Sequence, residues 1–338
     1  MATWLLLLVV LGGLCLLVSA VFLTLLGRDV WRARPEQQPS SPGAPPFPVD
    51  LVIPWVDRGD PAWAARYEAT YRELEDSDPT ILWRHDPPEL AATDDRNTDV
   101  YYAVRLALQN LPWLRRVVLF TQRPQRPSWV DELPKVTVVH HDEVFPSPTY
   151  NGMVTTAAVV DIPGLADHYI QMDDDLFIVQ PLPAGYFFDV DGRPVLRLRS
   201  TWAWPEPRKP LLHYRCIITN TLEMLLESVG LRVRSHHNDH QPTPCTRTLV
   251  QAAKQSISQD RWQQLTAIRS RVDFDFFSYY LPEYLFRKHR NALRVGPHRG
   301  GFVEGSRFTE FAVPDTPVLC VNNVFSDAVR EYLDQRVN

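Results

Sequence analysis

Apolar positions along the chain fall into short runs separated by Pro-, Gly- and Asp-rich turns. Residues 49–56 form a run rich in Val, Leu and Ile that reads as a first strand; residues 116–121 and 136–140 read as further short strands between proline-rich turns. Residues 62–74 have helical composition, with Asp60 placed as N-cap and Pro61 in the first turn. Residues 99–111 carry Val100, Val104, Leu108 and Leu111 at helical spacing. A short helix is expected at 154–160, leading into another apolar strand that begins at His168. Strands and helices thus alternate over roughly residues 49–180, which predicts an α/β fold with a largely parallel sheet and flanking helices. The second half reads as more helical, with helices expected at 218–230, 245–256, 261–268 and 274–288. The aromatic run Phe274, Phe276, Phe277, Tyr279, Tyr280 and Tyr284 reads as core, with a stacking platform as the alternative.

A different pattern precedes the first strand. Residues 4–26 are almost unbroken apolar sequence, and no charged side chain occurs from Met1 through Gly27. Such a run is long enough to cross a hydrocarbon core as a helix, and it lacks the basic n-region of a cleaved signal peptide. A single membrane anchor is the expectation. Arg28, Arg32 and Arg34 follow the run, so the positive-inside bias points to a cytoplasmic globular domain, with a Golgi-type lumenal one as the alternative. Residues 35–48 are a Pro/Ser/Gln linker that spaces the domain from the membrane. The expected division is 1–34 anchor and flank, 35–48 linker, 49–323 catalytic domain and 324–338 C-terminal helix or tail.

Composition narrows the classes. At 338 residues and 45% hydrophobic, with 10 Trp, 12 Tyr and 15 Phe, the chain has the means to bury a core. A net charge of −5 argues against nucleic acid as a partner, although arginines are dense at 193–199 and 287–299. Cys216, Cys245 and Cys320 have no metal-ligand spacing; one disulfide or three thiols both fit them.

The strand that begins at His168 runs into Asp173, Asp174 and Asp175 and then resumes as Leu176, Phe177 and Ile178. Adjacent carboxylates inside a buried strand are costly, because each unpaired charge loses its hydration. At the end of a strand they are tolerable when a divalent cation shares them, and Mg²⁺ or Mn²⁺ held this way commonly bridges to phosphate oxygens. Parallel sheets bind ligands beyond the carboxyl ends of their strands, so Asp57, after the first strand, is expected at the same site.

Several blocks together resemble the Stealth family of sugar-phosphate transferases, which includes bacterial capsular polysaccharide phosphotransferases and the α/β subunit of N-acetylglucosamine-1-phosphotransferase. The first block is DLVIPWVDRGDP at residues 50–61, followed by Trp63. The second opens with Arg96, Asn97, Thr98 and Asp99, continues through Tyr102, Arg105 and LPWLR at 111–115, and passes Pro127, Trp129, His140, Asp142 and the Pro-Thr-Tyr-Asn turn at 148–151. It closes with Ile-Pro-Gly-Leu at 162–165 and the acidic cluster. Weaker blocks are HHNDHQP at 236–242, Arg269, residues 277–280, and Cys320-Val321-Asn322-Asn323.

The resemblance implies a nucleotide-sugar transferase-like fold and transfer of a sugar 1-phosphate from a nucleotide-sugar to a hydroxyl of a glycan or polysaccharide acceptor, with release of a nucleoside monophosphate. It assigns a divalent cation (Mg²⁺ or Mn²⁺) to Asp174 and Asp175, with Asp57 in support. His240 is implied as base or phosphate contact, Arg269 as phosphate clamp, and Asn97 and Arg105 as residues shaping the nucleotide side. Asn322 and Asn323 close the substrate site. Two positions depart from the family pattern: Thr156 stands where a Glu is expected, and Asn323 where the terminal motif ends in Asp. A hydroxyl or an amide cannot replace a carboxylate as base, nor bind a cation with comparable strength. An ordinary metal-dependent glycosyltransferase, or a glycan-binding relative without activity, are the competing expectations.

Overall fold

The computed structural model describes residues 43–77, 85, 95–145, 149–201, 213–230, 235–237, 240–267, 269–270, 277–296, 300–309, 313, 315–322 and 325–337. The expected anchor at 4–26 and linker up to residue 42 lie outside them, as does Asn323. Among the described residues no helix is long and apolar enough to cross a membrane.

Strands β1 (Val49–Pro54), β2 (Arg116–Thr121) and β3 (Val136–His140) pair in parallel, as does β4 (His168–Gln171) on the other side of β1. Beyond β4 the chain forms β5 (Leu176–Ile178), β6 (Val195–Leu196), β7 (Arg199–Thr201), β8 (Ser235–His237) and β9 (Thr243–Thr246), then β10 (Arg294–Val295), β11 (Gly300–Glu304) and β12 (Val318–Asn322). The main sheet has the order β3-β2-β1-β4-β9, with only β9 antiparallel. The expected mixed α/β architecture with a mostly parallel sheet is therefore present.

The continuous apolar runs have a simple cause. Alternate residues of one strand enter different cores: Leu51 and Ile53 of β1 join one buried cluster, while Val52 joins the other. In β2, Val117 and Leu119 face the first and Val118 and Phe120 the second. A sheet covered on both faces has no polar side to display. The helix Asp99–Asn110 covers one face through Val100, Ala103, Val104 and Leu106, joined by Val329 and Leu333 of the C-terminal helix Asp327–Asp334. The other face packs against Leu222, Leu249, Tyr280 and Leu285 from the helices His213–Val229, Arg247–Ser256 and Phe277–Lys288. Tyr280 and Tyr284 of the aromatic run are buried core residues.

The expected elements shift at their ends for local reasons. The helix expected at 62–74 runs Pro61–Ser77; the Asp60 carboxylate accepts from the Ala62 N–H, so the predicted cap and first-turn proline are in place. The expected helix at 245–256 begins later, at Arg247. Residues Thr243–Thr246 instead form β9 on the edge of the main sheet, and the Thr246 hydroxyl caps the helix by accepting from Leu249 N–H. The β-branched threonines and Pro244 suit an edge strand. The apolar run that the acidic cluster interrupts ends one strand there, as expected, and resumes in a different sheet. Strand β4 belongs to the main sheet, and β5 pairs antiparallel with β12 in a three-stranded sheet of order β11-β12-β5. Three adjacent carboxylates cannot occupy a buried strand, so the chain changes sheet there.

Near the amino-terminal end of the central strand β1, Asp50 is fully buried between two arginines. Its Oδ1 accepts from Arg115 Nε at 2.7 Å, and Oδ2 pairs with Arg115 Nη2, accepts from Arg116 Nε at 3.3 Å and takes the Ala166 N–H at 3.0 Å. Both guanidinium groups also donate to the carbonyl of Gly164, whose positive φ of 66° turns the Ile-Pro-Gly-Leu segment. Asp50 thus ties β1, β2 and the entry to β4 together. Asp50→Ala leaves the Ala166 N–H and both arginines without this acceptor and is expected to cost about 3 kcal/mol. Thermal denaturation should show a melting temperature lower by about 6–12 °C.

His141 is a second buried polar group. Its ring lies against Phe120 and Phe145, Nε2 is 3.3 Å from the Phe120 carbonyl, and Nδ1 has no partner among the described residues. Burial pulls its pKa down from 6.5 to about 4. Because the folded state holds the ring neutral, its contribution is full above pH 6.5 and is lost as pH falls toward 4. The loss is on the order of 3 kcal/mol. His141→Gln, compared with the parent protein by melting temperature across this range, is expected to flatten that part of the acid dependence.

Candidate active site

The carboxyl ends of β1, β2, β3 and β4 lie on one edge of the main sheet, because all four strands are parallel. Asp57 follows β1 on this edge and Asp173–Asp175 follow β4. Since β9 runs antiparallel to β4 and its first residue, Thr243, pairs with Gln171, the preceding residues His240 and Gln241 reach the same edge. The smaller sheet supplies Cys320, which pairs in register with Leu176, the residue after Asp175. Crossing from one sheet to the other thus places the acidic turn where three chain segments meet.

The side chains converge there. Cys320 Sγ lies 3.5 Å from Asp175 Oδ2 and 3.4 Å from His240 Nδ1. The Asp175 carbonyl accepts from the Val321 N–H at 3.0 Å, which pins the turn to β12. Asp173 is exposed, while Asp174 and Asp175 are half-buried. Burial, followed by the charges of Asp173 and Asp174, pushes the Asp175 carboxyl up to about 8. Burial, then the adjoining Asp175 and after it Asp173 and Asp174, push the Cys320 thiol far above its usual range, so it stays protonated.

His240 has a backbone φ of 56°, in the left-handed region that side-chain-bearing residues enter at a cost of about 1–2 kcal/mol. Its carbonyl accepts from Nε2 of the buried Gln241, and its ring packs at 4.6 Å against the half-exposed Phe302. Gln241 lies across Gly300 so closely that a Cβ on Gly300 would fall 1.5 Å from its amide nitrogen. The glycine is what admits Gln241, and with it the backbone turn that aims His240. Asn322, two residues along β12 from Cys320, projects from the same face of that strand.

The other residues singled out in the sequence take separate places. Asp57 is half-buried; its Oδ1 accepts from Gly59 N–H, and its own N–H and carbonyl are held by the Gln125 amide. Asn97 is exposed just before the helix Asp99–Asn110, while Arg105 lies two turns into that helix beside Leu108, Gln109 and Leu133. Arg269 is drawn to the helix Pro61–Ser77, donating to both carboxylate oxygens of Glu73 at 3.0 and 3.1 Å. Its carbonyl accepts from Tyr150 N–H, and Asn151 donates to the next carbonyl, Ser270, so this segment docks on the Pro-Thr-Tyr-Asn turn. Thr156 is half-buried in the helix Gly152–Ala158, which Asn151 caps. Phe302 carries no motif signal, Gln241 was visible only as part of the HHNDHQP block, and Cys320 only as the head of its motif.

The acidic turn offers an all-oxygen donor set, which is what a hard divalent cation takes. Among the described residues no group of three or more His, Cys, Asp and Glu side chains forms a ready cage. Two carboxylates of one turn instead suit an ion that fills its remaining positions with water and substrate phosphate, as Mg²⁺ does. The residues present fit that kind of ion.

Residues 94–196 match the family model described as Stealth protein CR2, conserved region 2. The chain is 36% identical over 149 residues to the capsular polysaccharide phosphotransferase LcbA of Aeromonas hydrophila, covering 43% of this chain and 40% of that one. It is 29% identical over 223 residues to a capsular polysaccharide phosphotransferase of Neisseria meningitidis serogroup B, covering 64% and 56%. With a capsular polysaccharide phosphotransferase of Actinobacillus pleuropneumoniae it shares 27% over 248 residues, covering 69% and 64%. The chain thus spans between two fifths and two thirds of these relatives' lengths. Among solved structures, the galactosyltransferase LgtC in complex with donor and acceptor sugar analogues overlaps 85% of this chain and 95% of its own, at a TM-score of 0.44 and 9% identity. That likeness is distant and bears on neither chemistry nor substrate. The resemblance to the Stealth family read from the sequence stands on the matched region and these relatives.

Proposed function

On the premise of a Stealth conserved region at residues 94–196, we propose that the chain is a membrane-anchored transferase that moves a sugar 1-phosphate from a nucleotide-sugar to a glycan hydroxyl. The observation that carries this reading is the convergence of Asp175, His240 and Cys320 at the carboxyl edge of the sheet. Asp174 and Asp175 would hold a divalent cation. When bound, such an ion neutralises the donor diphosphate and the charge that develops on the leaving group.

In this reading the acceptor oxygen attacks the phosphorus bonded to the sugar. The bond from that phosphorus to the bridging oxygen breaks, and the nucleoside monophosphate leaves with the electron pair. The hydroxyl proton goes to His240, which the left-handed turn before β9 presents at this edge. Arg269, whose Nη1 donates to both Glu73 carboxylate oxygens, would exchange Glu73 for donor phosphate. Asn97 lies at a helix N-terminus suited to the nucleotide side, and Asp57 and Asn322 border the site. Arg105, in the helix that follows Asn97, would shape that side indirectly. Asn323, the last residue of the terminal motif, carries no charge where the family pattern has a carboxylate. Residues 4–26 would anchor the domain, facing the cytoplasm by the charge bias or the Golgi lumen in the alternative topology.

The full chain, purified in detergent with Mg²⁺ or Mn²⁺, should release nucleoside monophosphate from one of a panel of nucleotide-sugars in the presence of acceptor glycan. Asp174→Ala and Asp175→Ala should abolish the release. Diphosphate in place of monophosphate would assign glycosyl transfer instead. Absence of turnover across the panel, with glycan still bound, would assign the binding relative that Thr156 and Asn323 suggest.

A further inference from the structure

Phe302 is a large apolar side chain that the fold leaves 48% exposed. A lone exposed apolar residue needs no explanation by itself, but the place of this one does. Along β11, Gly301 and Val303 turn inward, Val303 joining the buried cluster that holds Leu319 and Val321, so Phe302 is directed to the opposite face. Its register partner on β12 is Cys320, whose sulfur meets Asp175 and His240, so the ring stands on the face that carries the candidate site. The ring lies 4.6 Å from the His240 imidazole, tilted by 43°. Two residues further along the same strands, Glu304 and Asn322 are again paired in register, and both are partly exposed. The face thus presents one aromatic ring edged by an acidic side chain and an amide. That composition suits a sugar: the C–H groups of a pyranose rest on the negative face of an aromatic ring, while its hydroxyls need hydrogen-bonding groups at the edge.

The strand order separates donor from acceptor. In the sheet β11-β12-β5, Phe302, Cys320 and Leu176 lie side by side in register, and Asp175 immediately precedes Leu176. Two strand spacings, about 10 Å, therefore lie between Phe302 and the strand that leaves the acidic turn. The proposed reaction gives the acidic turn to the donor phosphate and brings an acceptor hydroxyl to His240. The aromatic ring, a further strand out and in contact with that histidine, is placed for the sugar that carries the hydroxyl. We propose that Phe302 is the stacking platform for the acceptor pyranose. This rests on the proposed transfer reaction and deepens it, by assigning a substrate contact to a residue outside every sequence motif.

The test measures sugar binding without donor. The full chain, in a detergent that lacks a sugar headgroup, is titrated with methyl glycosides of common hexoses and N-acetylhexosamines. Binding is followed by ligand NMR with saturation of the protein's aromatic protons. At least one glycoside should bind and receive saturation mainly at the C–H protons of one ring face, both in the parent and in Phe302→Tyr, which keeps the aromatic face. Phe302→Leu, apolar but without that face, should weaken binding about fivefold and lose the face-selective transfer. Equal affinity in the parent and the leucine variant would overturn the inference, as would absence of binding by every glycoside. If the leucine variant does not fold, Phe302→Gln, suited to an exposed strand position, makes the same comparison. In the transfer assay, Phe302→Leu should raise the acceptor KM about fivefold and leave the donor KM unmoved. Monophosphate release with an unchanged acceptor KM would sink the platform and spare the reaction. Weakened glycoside binding in the leucine variant, with no release by the parent, would do the reverse.

Discussion

Asp175→Asn is expected to lower sugar-phosphate transfer about 10³-fold while making the cation-free protein more stable in mild alkali. The two effects have one origin. Asp175 sits half-buried beside Asp173 and Asp174, and its carboxyl is pushed up to about 8, first by burial and then by those charges. A group whose folded pKa is raised stabilises the fold below its unfolded pKa and loses that contribution as pH rises through the folded value. For Asp175 the loss runs from about pH 4 to about pH 8 and amounts to a few kcal/mol at most. Asparagine carries no charge to repel, so above pH 8 the variant should melt about 5 °C or more above the cation-free parent, and the gap should close below pH 4. Added Mg²⁺ should raise the melting temperature of the parent and leave the variant nearly unchanged. Equal responses to Mg²⁺ would remove Asp175 from the cation site.

Loss of the His240 ring is the second large effect. His240→Ala is expected to lower kcat by about 10²- to 10⁴-fold, the usual contribution of a positioned base, with little change in KM. Folding can be separated from chemistry at this position because φ is 56°. His240→Gly removes the same ring but adopts the left-handed backbone freely, so it should be about 1 kcal/mol more stable than His240→Ala. Equal inactivity with unequal melting temperatures is the expected pair of results. Comparable activity in the parent and the glycine variant would assign the proton transfer elsewhere.

Much of the fold is legible in the sequence because the sheet is buried on both faces. Runs such as residues 116–121 have no polar alternation to confuse them, and Asp60 with Pro61 marks a helix start by chemistry that operates locally. The acidic turn is legible for the same reason, since carboxylates have no place inside such a run. Pairing across long separations is not legible. Nothing local says that β4 and β5 belong to different sheets, that Thr243–Thr246 completes the main sheet, or that Cys320 reaches Asp175 across 145 residues. Arg269 shows the same limit. Its type suggests a phosphate clamp, whereas in the free protein its guanidinium is held by Glu73, 196 residues earlier in the chain.

The reaction itself is tested most directly by following the phosphorus. A nucleotide-sugar labelled with ³²P in the phosphate attached to the sugar, incubated with the full chain, Mg²⁺ and acceptor glycan, should deliver the label to the glycan in a phosphodiester and release unlabelled nucleoside monophosphate. Label retained in a released nucleoside diphosphate, with the sugar joined to the glycan through a glycosidic bond, would contradict the account.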